Sequence, residues 1–375
     1  MMKVSYKTIA DVCEILDSKR IPITASERVS GPYPYYGANG VQDYVADYIF
    51  DDELVLLAED GGNFGSKEKP IAYRVSGKCW VNNHAHVLKP KDCIDVDYLC
   101  YSLMFYNVDS IVNGATRKKL TQAEMRKMII PVPTKEEQKE IADTLDKISE
   151  LISLRRKQIE KLDELVKARF VELFGDIKTG NYKFETRKLG EVAEVGSSHR
   201  VFTTEFVEEG IPFYRGTEIG ELANGIKPEN PYRITKEHYH RLACDETKPK
   251  IGDLLMPSIC NKGQVWMVDT EEPFYYKDGR VLCISPNRKL FNCKYLEQFM
   301  REKTLVEYPK LGSGSTFAEF KIFLLKDIDI LIPPIELQNQ FAAFVEQTDK
   351  SKLTIQQSLD KLEVLKKSLM QKYFG

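Results

Sequence analysis

The chain contains an internal repeat, and this repeat constrains its fold more than any other feature of the 375-residue sequence. A segment that ends in Phe174-Gly175 recurs as a segment that ends in Phe374-Gly375, at a constant offset of 200 residues and without a gap. Gln138 matches Gln338 within the same segments. Because self-similarity of this kind reports a duplicated structural unit, the sequence predicts a two-part architecture.

A second match lies at the start of each half. Residues 9–15 resemble residues 189–195, at an offset of 180. The offset grows to 200 further along, so about 20 additional residues lie inside the second half. The interiors between the matched ends are much less alike. Similar ends around divergent middles indicate one scaffold that carries two different binding surfaces.

Length and charge limit the class of protein. A chain of 375 residues is long enough for two or more compact units. No run of about 18 apolar residues is present and the first residues lack a secretory h-region, so we expect a cytoplasmic protein without a membrane span. The net charge is only −2, without the positive excess that indicates nucleic-acid binding by itself. A basic face balanced by an acidic back is compatible with this value.

Two long helices are predicted, over residues 134–174 and about 335–374. Apolar residues recur there at steps of three and four. Pro133 suits a helix start and Gly175 a helix end. About 40 residues at a rise of 1.5 Å give a length of roughly 60 Å.

The two apolar stripes are imperfect in complementary ways. Arg155 of the first helix corresponds to Ile355 of the second, and Lys366 of the second corresponds to Val166 of the first. Packing of the helices on each other as a coiled coil explains this best; the alternative is that each helix packs on its own globular half. The predicted interface comprises Ile141, Leu145, Ile148, Ile152, Ile159, Leu162, Val166, Phe341, Val345, Ile355, Leu359, Leu362 and Leu369.

The globular halves combine short β-like runs with turns. Leu54–Leu57 and Cys79–Val81 in the first half, and Arg280–Ile284 in the second, are typical of strands, and turns rich in Gly and Asn separate such runs. The predicted class is therefore α+β, or mixed α/β. The predicted segments are a first globular domain at 1–133, a first helix at 134–175, a second globular domain at 176–333 and a second helix at 334–375.

Recognisable catalytic motifs are missing from the sequence. It has no P-loop and no complete G-x-G-x-x-G. Its eight cysteines form no Cys-x-x-Cys pair, and His84-Ala85-His86 and His238-Tyr239-His240 lack a matching third ligand, so no metal site is predicted. These absences favour a binding role over catalysis.

The combined pattern resembles the specificity subunits of type I restriction–modification systems. The residues that carry the likeness are Leu189-Gly190-Glu191-Val192, Pro34-Tyr35-Tyr36-Gly37-Ala38-Asn39-Gly40, Gly114-Ala115-Thr116, Pro131-Val132-Pro133 with Glu137-Gln138, and Pro333-Pro334 with Glu336 and Gln338. The terminal pair of Leu-rich helices completes it, and the motifs together cover nearly the whole chain. The halves differ at Ile9-Ala10 against Leu189-Gly190, which loosens the boundaries but leaves the class intact.

The resemblance implies two target recognition domains joined by two long antiparallel helices. Each domain would read one part of a split site in double-stranded DNA, and the helices would fix the unread spacer. Two methyltransferase subunits would dock on the helices, and restriction subunits would join the larger assembly. The chain itself would hold no cofactor, because S-adenosylmethionine, ATP and Mg²⁺ would belong to the partner subunits. Roughly 60 Å between domain attachments suits half-sites one to two helical turns apart.

Polar loop residues near glycine or aromatic residues are the candidates for DNA contact, since Arg and Lys suit guanine or phosphate and Asn suits adenine. Ordinary solvated loop positions are the alternative for each. Three other functions stay open: a type IIB-like target-recognition subunit, a stand-alone nucleic-acid-modifying enzyme and a structural coiled-coil adaptor. The candidates are Asn63, Arg74, Asn82, Asn83, His84, Arg117, Lys118 and Lys119 in the first half, and Ser198, His199, Arg200, Arg215, Thr217, Asn261, Lys262, Lys277 and Thr316 in the second.

Overall fold

The computed structural model describes residues 4–66, 68–114, 117–243, 247–311 and 318–375. The chain divides into two compact units: the first is Met1–Lys157 with Gln356–Gly375, and the second is Gln158–Ile355. Both divisions fall inside the long helices. Each unit therefore contains the beginning of one long helix and the end of the other.

Ten α-helices are found among the described residues. They are α1 (Ile9–Val12), α2 (Val96–Met104), α3 (Gln122–Lys127), α4 (Lys135–Phe174), α5 (Leu189–Val192), α6 (Gly216–Ala223), α7 (Lys236–Leu242), α8 (Cys293–Glu307), α9 (Ile322–Lys326) and α10 (Ile335–Phe374). Short 3₁₀ turns cover Asp17–Lys19, Thr203–Glu205 and Tyr308–Leu311.

The strands form separate sheets in the two units. In the first unit they are β1 (Ser5–Thr8), β2 (Cys13–Ile15), β3 (Ser30–Gly37), β4 (Gly40–Val45), β5 (Phe50–Ala58), β6 (Ala72–Val81), β7 (Ala85–Pro90) and β8 (Ile129–Val132). In the second they are β9 (Gly175–Asp176), β10 (Asn181–Tyr182), β11 (Thr186–Lys188), β12 (Ala193–Gly196), β13 (Ile211–Tyr214), β14 (Tyr232–Ile234), β15 (Leu254–Pro257), β16 (Trp266–Met267), β17 (Tyr275–Tyr276), β18 (Val281–Pro286) and β19 (Asp329–Leu331).

The first unit is built on a six-stranded sheet in the order β2-β7-β5-β6-β3-β4. Its pairs are antiparallel except β3 with β6. The continuous apolar run Leu54–Ala58 is fully buried, as expected of a central strand. Helix α2 packs against β5 and β6, and it starts at Asp95, whose carboxylate accepts hydrogen bonds from the backbone N–H groups of Asp97 and Tyr98.

The second unit has a different sheet arrangement. Four antiparallel strands follow the order β12-β18-β15-β16, and three more follow the order β14-β13-β17, with β13 and β17 parallel. Helix α8 takes the place of α2 and starts at Asn292, which caps it through Oδ1. The sequence prediction of divergent interiors is therefore confirmed at the level of strand order.

The ends of the two repeats are nevertheless alike. Strand β1 pairs antiparallel with β8 in the first unit, and β11 pairs antiparallel with β19 in the second. Gln138 accepts a hydrogen bond from the backbone N–H of Asp95 at 2.7 Å and donates one to the carbonyl of Pro133 at 2.9 Å. Gln338 does the same with Asn292 at 2.9 Å and Pro333 at 2.8 Å. Each glutamine thus ties the start of a long helix to the cap of a core helix.

Helices α4 and α10 confirm the predicted long segments to within a residue. Gly175 ends α4 with φ of +98°, where a Cβ would also lie 2.2 Å from the carbonyl oxygen of Asn181. Only glycine fits both constraints, which explains the stop that the sequence predicted.

The two helices run antiparallel within each unit. In the first, Arg156 Nη2 lies 2.6 Å from Glu363 Oε1. Tyr101 contacts both Asp146, which precedes Arg156 on α4, and Lys366, which follows Glu363 on α10. Residue numbers therefore rise along one helix as they fall along the other. In the second, Lys352 pairs with Asp163, and further along α4 Phe170 and Phe174 pack against Phe341, nearer the start of α10.

The predicted interface residues are all at least half-buried. Half-buried are Ile159, Leu162, Ile355, Leu362 and Leu369, and buried are Ile141, Leu145, Ile148, Ile152, Val166, Phe341, Val345 and Leu359. The apolar residues nearest the helix ends join the core of the unit that contains them. The α+β class with two antiparallel long helices and an internal repeat is confirmed.

Candidate nucleic-acid interface

In the first unit, several predicted contact residues converge on one carboxylate that the sequence reasoning missed. Asp60 follows β5, and its Oδ1 lies 2.5 Å from Arg117 Nη2 and 2.8 Å from His84 Nδ1. The backbone of Asp60 also forms an isolated β-bridge with Lys119. Three chain segments that are distant in sequence therefore meet at this loop.

The run Arg117–Lys119 forms the cationic part of this surface. Lys118 Nζ lies 3.4 Å from Asp109 Oδ1, and Lys119 Nζ lies 3.0 Å from Glu59 Oε1. All three cations of the run are about half exposed or more. Positive groups held in this way can contact phosphate or a guanine edge.

A buried ionic network supports the loop from below. His86 Nδ1 lies 2.6 Å from Asp17 Oδ2, and Arg20 Nη1 lies 2.5 Å from Glu59 Oε2. Burial by itself would raise the pKa of Asp17, but hydrogen bonds from His86, the backbone of Val87 and Gln122 outweigh it, so the pKa lies below its usual value. For Glu59, burial is likewise outweighed by Arg20 and Lys119, and its pKa is also lowered.

The same network contains a group with metal-ligand chemistry. One ligand atom each from Asp17, Glu59 and His86 lie within 4.8 Å of one another. The guanidinium of Arg20 already contacts both carboxylates. Because this fixed positive charge stands where a cation would bind, we interpret the group as an ion-pair network, and the absence of a metal site stays a prediction.

The other first-half candidates differ in accessibility. Asn83 is exposed, whereas Asn82 is buried, and its Oδ1 accepts a hydrogen bond from the backbone of His84. Asn63 lies in the loop after Asp60 and donates to the carbonyl of Pro70. Arg74 is held away from this cluster by ion pairs with two carboxylates, Glu53 and Asp97.

In the second unit, the Ser198–Arg200 loop lies along the turn after β17. Ser198 donates to the carbonyl of Tyr276, and the backbone N–H of His199 donates to the Tyr275 hydroxyl. Arg200 Nε lies 3.2 Å from Asp278 Oδ2. Lys277, in the same turn, is exposed. These four predicted residues are therefore brought together.

Arg215 stands beside this group at the start of α6. The backbone N–H of Lys277 donates to the carbonyl of Tyr214, the residue before Arg215. The guanidinium pairs with Glu218 at 2.6 Å and lies 4.6 Å from the ring centre of Tyr232. Burial by itself would raise the pKa of Glu218, but the hydrogen bonds from Arg215 outweigh it and hold that pKa below its usual value, so the carboxylate that pairs with Arg215 stays ionised.

The remaining second-half candidates lie on and beside α6. Thr217 is exposed on its first turn, and Asn261 and Lys262 are exposed in the loop after β15. That loop passes close to α6, because a Cβ on Gly220 would contact the Gln264 side chain. Thr316 lies outside the described residues.

The carboxylate partners of these cations were not predicted from the sequence, because the partners meet only in the folded chain. Asp60, Glu59 and Asp278 are distant in sequence from most of the cations they hold, and a search of the sequence for cations does not select acidic residues. The near-neutral net charge was the one sequence observation that indicated acidic partners for the cations.

Two lobes of different sheet order, each carrying a polar loop cluster and joined to antiparallel helices, define a duplicated binding protein. The family model described as type I restriction modification DNA specificity domain matches residues 1–164 and 181–366. The chain belongs to this family of DNA-recognising specificity subunits, as the sequence resemblance predicted.

Individual relatives agree. A Haemophilus influenzae chain, provisionally named as a type I restriction enzyme specificity subunit, is 29% identical over 98% of this chain and 95% of its own length. A named type I specificity subunit from Methanocaldococcus jannaschii is 25% identical over 96% of this chain and 90% of its own. The crystal structure of a type I S subunit from M. genitalium has the same fold, with a TM-score of 0.63, 15% identity and coverage of 100% of this chain and 96% of that one.

Of the helices in the described ranges, none has the length and low charge needed to cross a bilayer.

Proposed function

We propose that this chain is the non-catalytic reading subunit of a type I restriction–modification complex and recognises a bipartite DNA target. The recognition domains would be residues 1–133 and 176–333, each reading one half-site. The polar loop residues gathered in each unit would supply the phosphate and base contacts.

One observation carries this proposal. The two units repeat the same frame, with Gln138 and Gln338 tying equivalent helix starts to equivalent caps, yet they carry different sheets and different polar clusters. A repeated frame supports two similar approaches to a duplex. Different clusters support two unrelated half-site sequences, since base-edge chemistry is set by the side chains presented.

The partners of the chain are inferred on the same basis. A solved relative with a TM-score of 0.57 and 15% identity, covering 99% of this chain and 97% of its own, was described in the context of complex assembly of the type I system. We infer two methyltransferase subunits that dock on α4 and α10, and restriction subunits in the larger assembly. S-adenosylmethionine, ATP and Mg²⁺ would be bound by those partners, with no cofactor in this chain.

The test is to express the chain with its methyltransferase subunits and map N6-methyladenine in the host DNA. A split motif with a fixed spacer is expected. Arg117→Ala should relax one half of the motif and Arg215→Ala the other. The matched control is Arg187→Ala, which removes an exposed, carboxylate-paired arginine on β11, away from α4 and α10, and should leave the motif unchanged.

Three outcomes would contradict the proposal. A continuous motif would reject two separate readers, and equal loss of both halves in Arg215→Ala would reject a base-reading role for that residue. Methyl transfer by the purified chain alone would favour the stand-alone enzyme.

A further inference from the structure

Every cation of the run Arg117–Lys119 is paired with a different carboxylate. The nearest nitrogen–oxygen distances are 2.5 Å to Asp60, 3.4 Å to Asp109 and 3.0 Å to Glu59. Three consecutive pairs with three separate partners are more than a solvated charge run requires. The run is also a candidate DNA contact, so any role of these carboxylates in DNA binding rests on the proposed function.

The cations of these ion pairs are more exposed than two of their three carboxylates. The side chains of the three cations are 49–60% exposed, whereas those of Asp60 and Glu59 are only 17% and 11% exposed. Two of the three carboxylates therefore lie beneath their cations and leave the outer faces of the cations open. A DNA backbone could approach the cations without first displacing the acids.

Asp60 is the centre of this arrangement. Its Oδ1 lies within 2.8 Å of both the Arg117 guanidinium and the His84 ring, two groups predicted to touch DNA. The guanidinium passes over Gly61, where a Cβ would lie 3.0 Å from Arg117 Nη2 and where φ is +61°. The loop is therefore shaped to hold the guanidinium in one place.

The charges of this surface and the network below it balance. Four carboxylates face four fixed cations: Asp17, Glu59, Asp60 and Asp109 against Arg20, Arg117, Lys118 and Lys119. Binding to DNA of any sequence comes mainly from phosphate contacts and counterion release. A neutral surface weakens that attraction, whereas base contacts depend on direction. The near-neutral balance at this surface parallels the net charge of −2 of the whole chain.

We infer that Asp60 is a specificity-determining positioning residue. It aims Arg117 and His84 at the duplex and offsets the positive charge of Arg117, so that DNA without the target sequence is bound weakly. Its contribution is to the ratio of specific to non-specific affinity rather than to affinity itself.

The test uses the full chain in complex with its methyltransferase subunits and two duplexes, one with the mapped site and one without it. Asp60→Asn should raise affinity for the siteless duplex about fivefold at physiological salt, and steepen the logarithmic salt dependence by about 0.9 for one added phosphate contact. Affinity for the mapped site should rise less or fall. Asp60→Glu, which keeps the negative charge, should leave binding to the siteless duplex as weak as in the wild type.

The matched control is Asp329→Asn. Asp329 is also an exposed carboxylate paired with a lysine, Lys188, but it lies on β19 in the second unit, away from α4 and α10. Both variants add the same unit of net charge. The double variant Asp60→Asn with Arg117→Gln should lose the gain in siteless binding, because the freed guanidinium is absent.

The outcomes distinguish failure of the proposed function from failure of the inference on Asp60. If the wild-type complex does not prefer the mapped site, the proposed function fails. If it does and Asp60→Asn behaves like Asp329→Asn in affinity and salt dependence, the inference on Asp60 is overturned. Should Asp60→Asn not fold, Asp60→Glu decides, because its longer side chain keeps the charge but shifts the Arg117 guanidinium: an unchanged preference for the mapped site would overturn the inference.

Discussion

Phe374, the penultimate residue of the chain, packs its ring against Tyr98 of the first unit, with centroids 5.2 Å apart and planes at 58°. The equivalent pair in the second unit is Phe174 with Tyr295, at 5.0 Å and 66°. The hydroxyl of each tyrosine also donates to a backbone carbonyl of the last short strand, that of Pro131 or Leu331. Each long helix therefore starts in one unit and anchors its last aromatic ring in the other.

We expect Phe374→Ala to weaken the first unit and Phe174→Ala the second. Phe174 is fully buried, so its loss should cost about 3–5 kcal/mol, and half-buried Phe374 about 1–2 kcal/mol. Because a two-unit chain need not unfold in one step, hydrogen exchange resolved by segment is the appropriate measurement. Protection should fall first in α2 for Phe374→Ala and in α8 for Phe174→Ala.

Val364→Ala provides the control, since Val364 is an exposed apolar residue on the same helix as Phe374. It should leave both exchange patterns unchanged. Equal loss in α2 and α8 from either phenylalanine variant would show that the two anchors do not act on separate units.

Gln138 and Gln338 supply the second prediction. Both are buried, and each satisfies one backbone N–H and two backbone carbonyls. Replacement by Leu leaves those groups unpaired, at about 1–3 kcal/mol for each that water does not reach. We therefore expect Gln138→Leu and Gln338→Leu each to destabilise its own unit by at least about 2 kcal/mol.

Gln340→Leu is the matched control, because Gln340 is exposed two residues further along α10. Denaturant unfolding followed by exchange protection compares the three variants. A Gln138→Leu chain as stable as Gln340→Leu would mean that water replaces the lost hydrogen bonds.

The sequence predicted the repeated frame well but not which residues pair within each unit, for a physical reason. Helices of this length repeat apolar residues with the helical period, which is visible in the sequence. Pro133 favours a helix start and Gly175 a helix end because of their backbone conformations, so α4 and α10 were predicted to within a residue. The β-like run Leu54–Leu57 lies inside β5, an inner strand of the six-stranded sheet, where the run is fully buried.

Long-range pairing has no such local signal. The parallel contact of β3 with β6 and the meeting of Asp60 with Arg117 both join residues far apart in sequence. Residues that match in the repeat can also have different partners in the fold. Arg20 and Arg200 match in sequence, yet Arg20 belongs to the buried network and Arg200 is exposed beside Asp278.

Lys366 supplies the third prediction, because it occupies the position at which the other helix has buried Val166. Burial lowers the pKa of its ammonium, an effect that Asp146 only partly offsets. The charge is thus poorly accommodated, and we expect Lys366→Met to stabilise the first unit by about 0.5–1 kcal/mol. Lys367→Met, at the exposed neighbour, should give no gain. Thermal unfolding of both variants decides, and a loss of stability in Lys366→Met would show that the contact with Tyr101 matters more.

Acid sensitivity of the first unit supplies the last prediction. The pKa values of Asp17 and Glu59 lie below their usual values in the folded chain. A carboxyl with a lowered folded-state pKa binds fewer protons folded than unfolded. Its stabilisation is therefore complete above the unfolded pKa of about 4 and is lost as the pH falls through the lower folded value.

Asp17→Asn should consequently be less stable than wild type at neutral pH, and the difference should shrink as the pH falls below about 4. Exchange protection in β7, where the backbone N–H of Val87 donates to Asp17 at 2.9 Å, is the local readout. Asp51→Asn, at an exposed position on β5, is the control and should follow the wild-type curve. A constant difference between Asp17→Asn and wild type across this range would contradict the prediction, because the contribution of Asp17 would then come from its shape and hydrogen bonds and not from its charge.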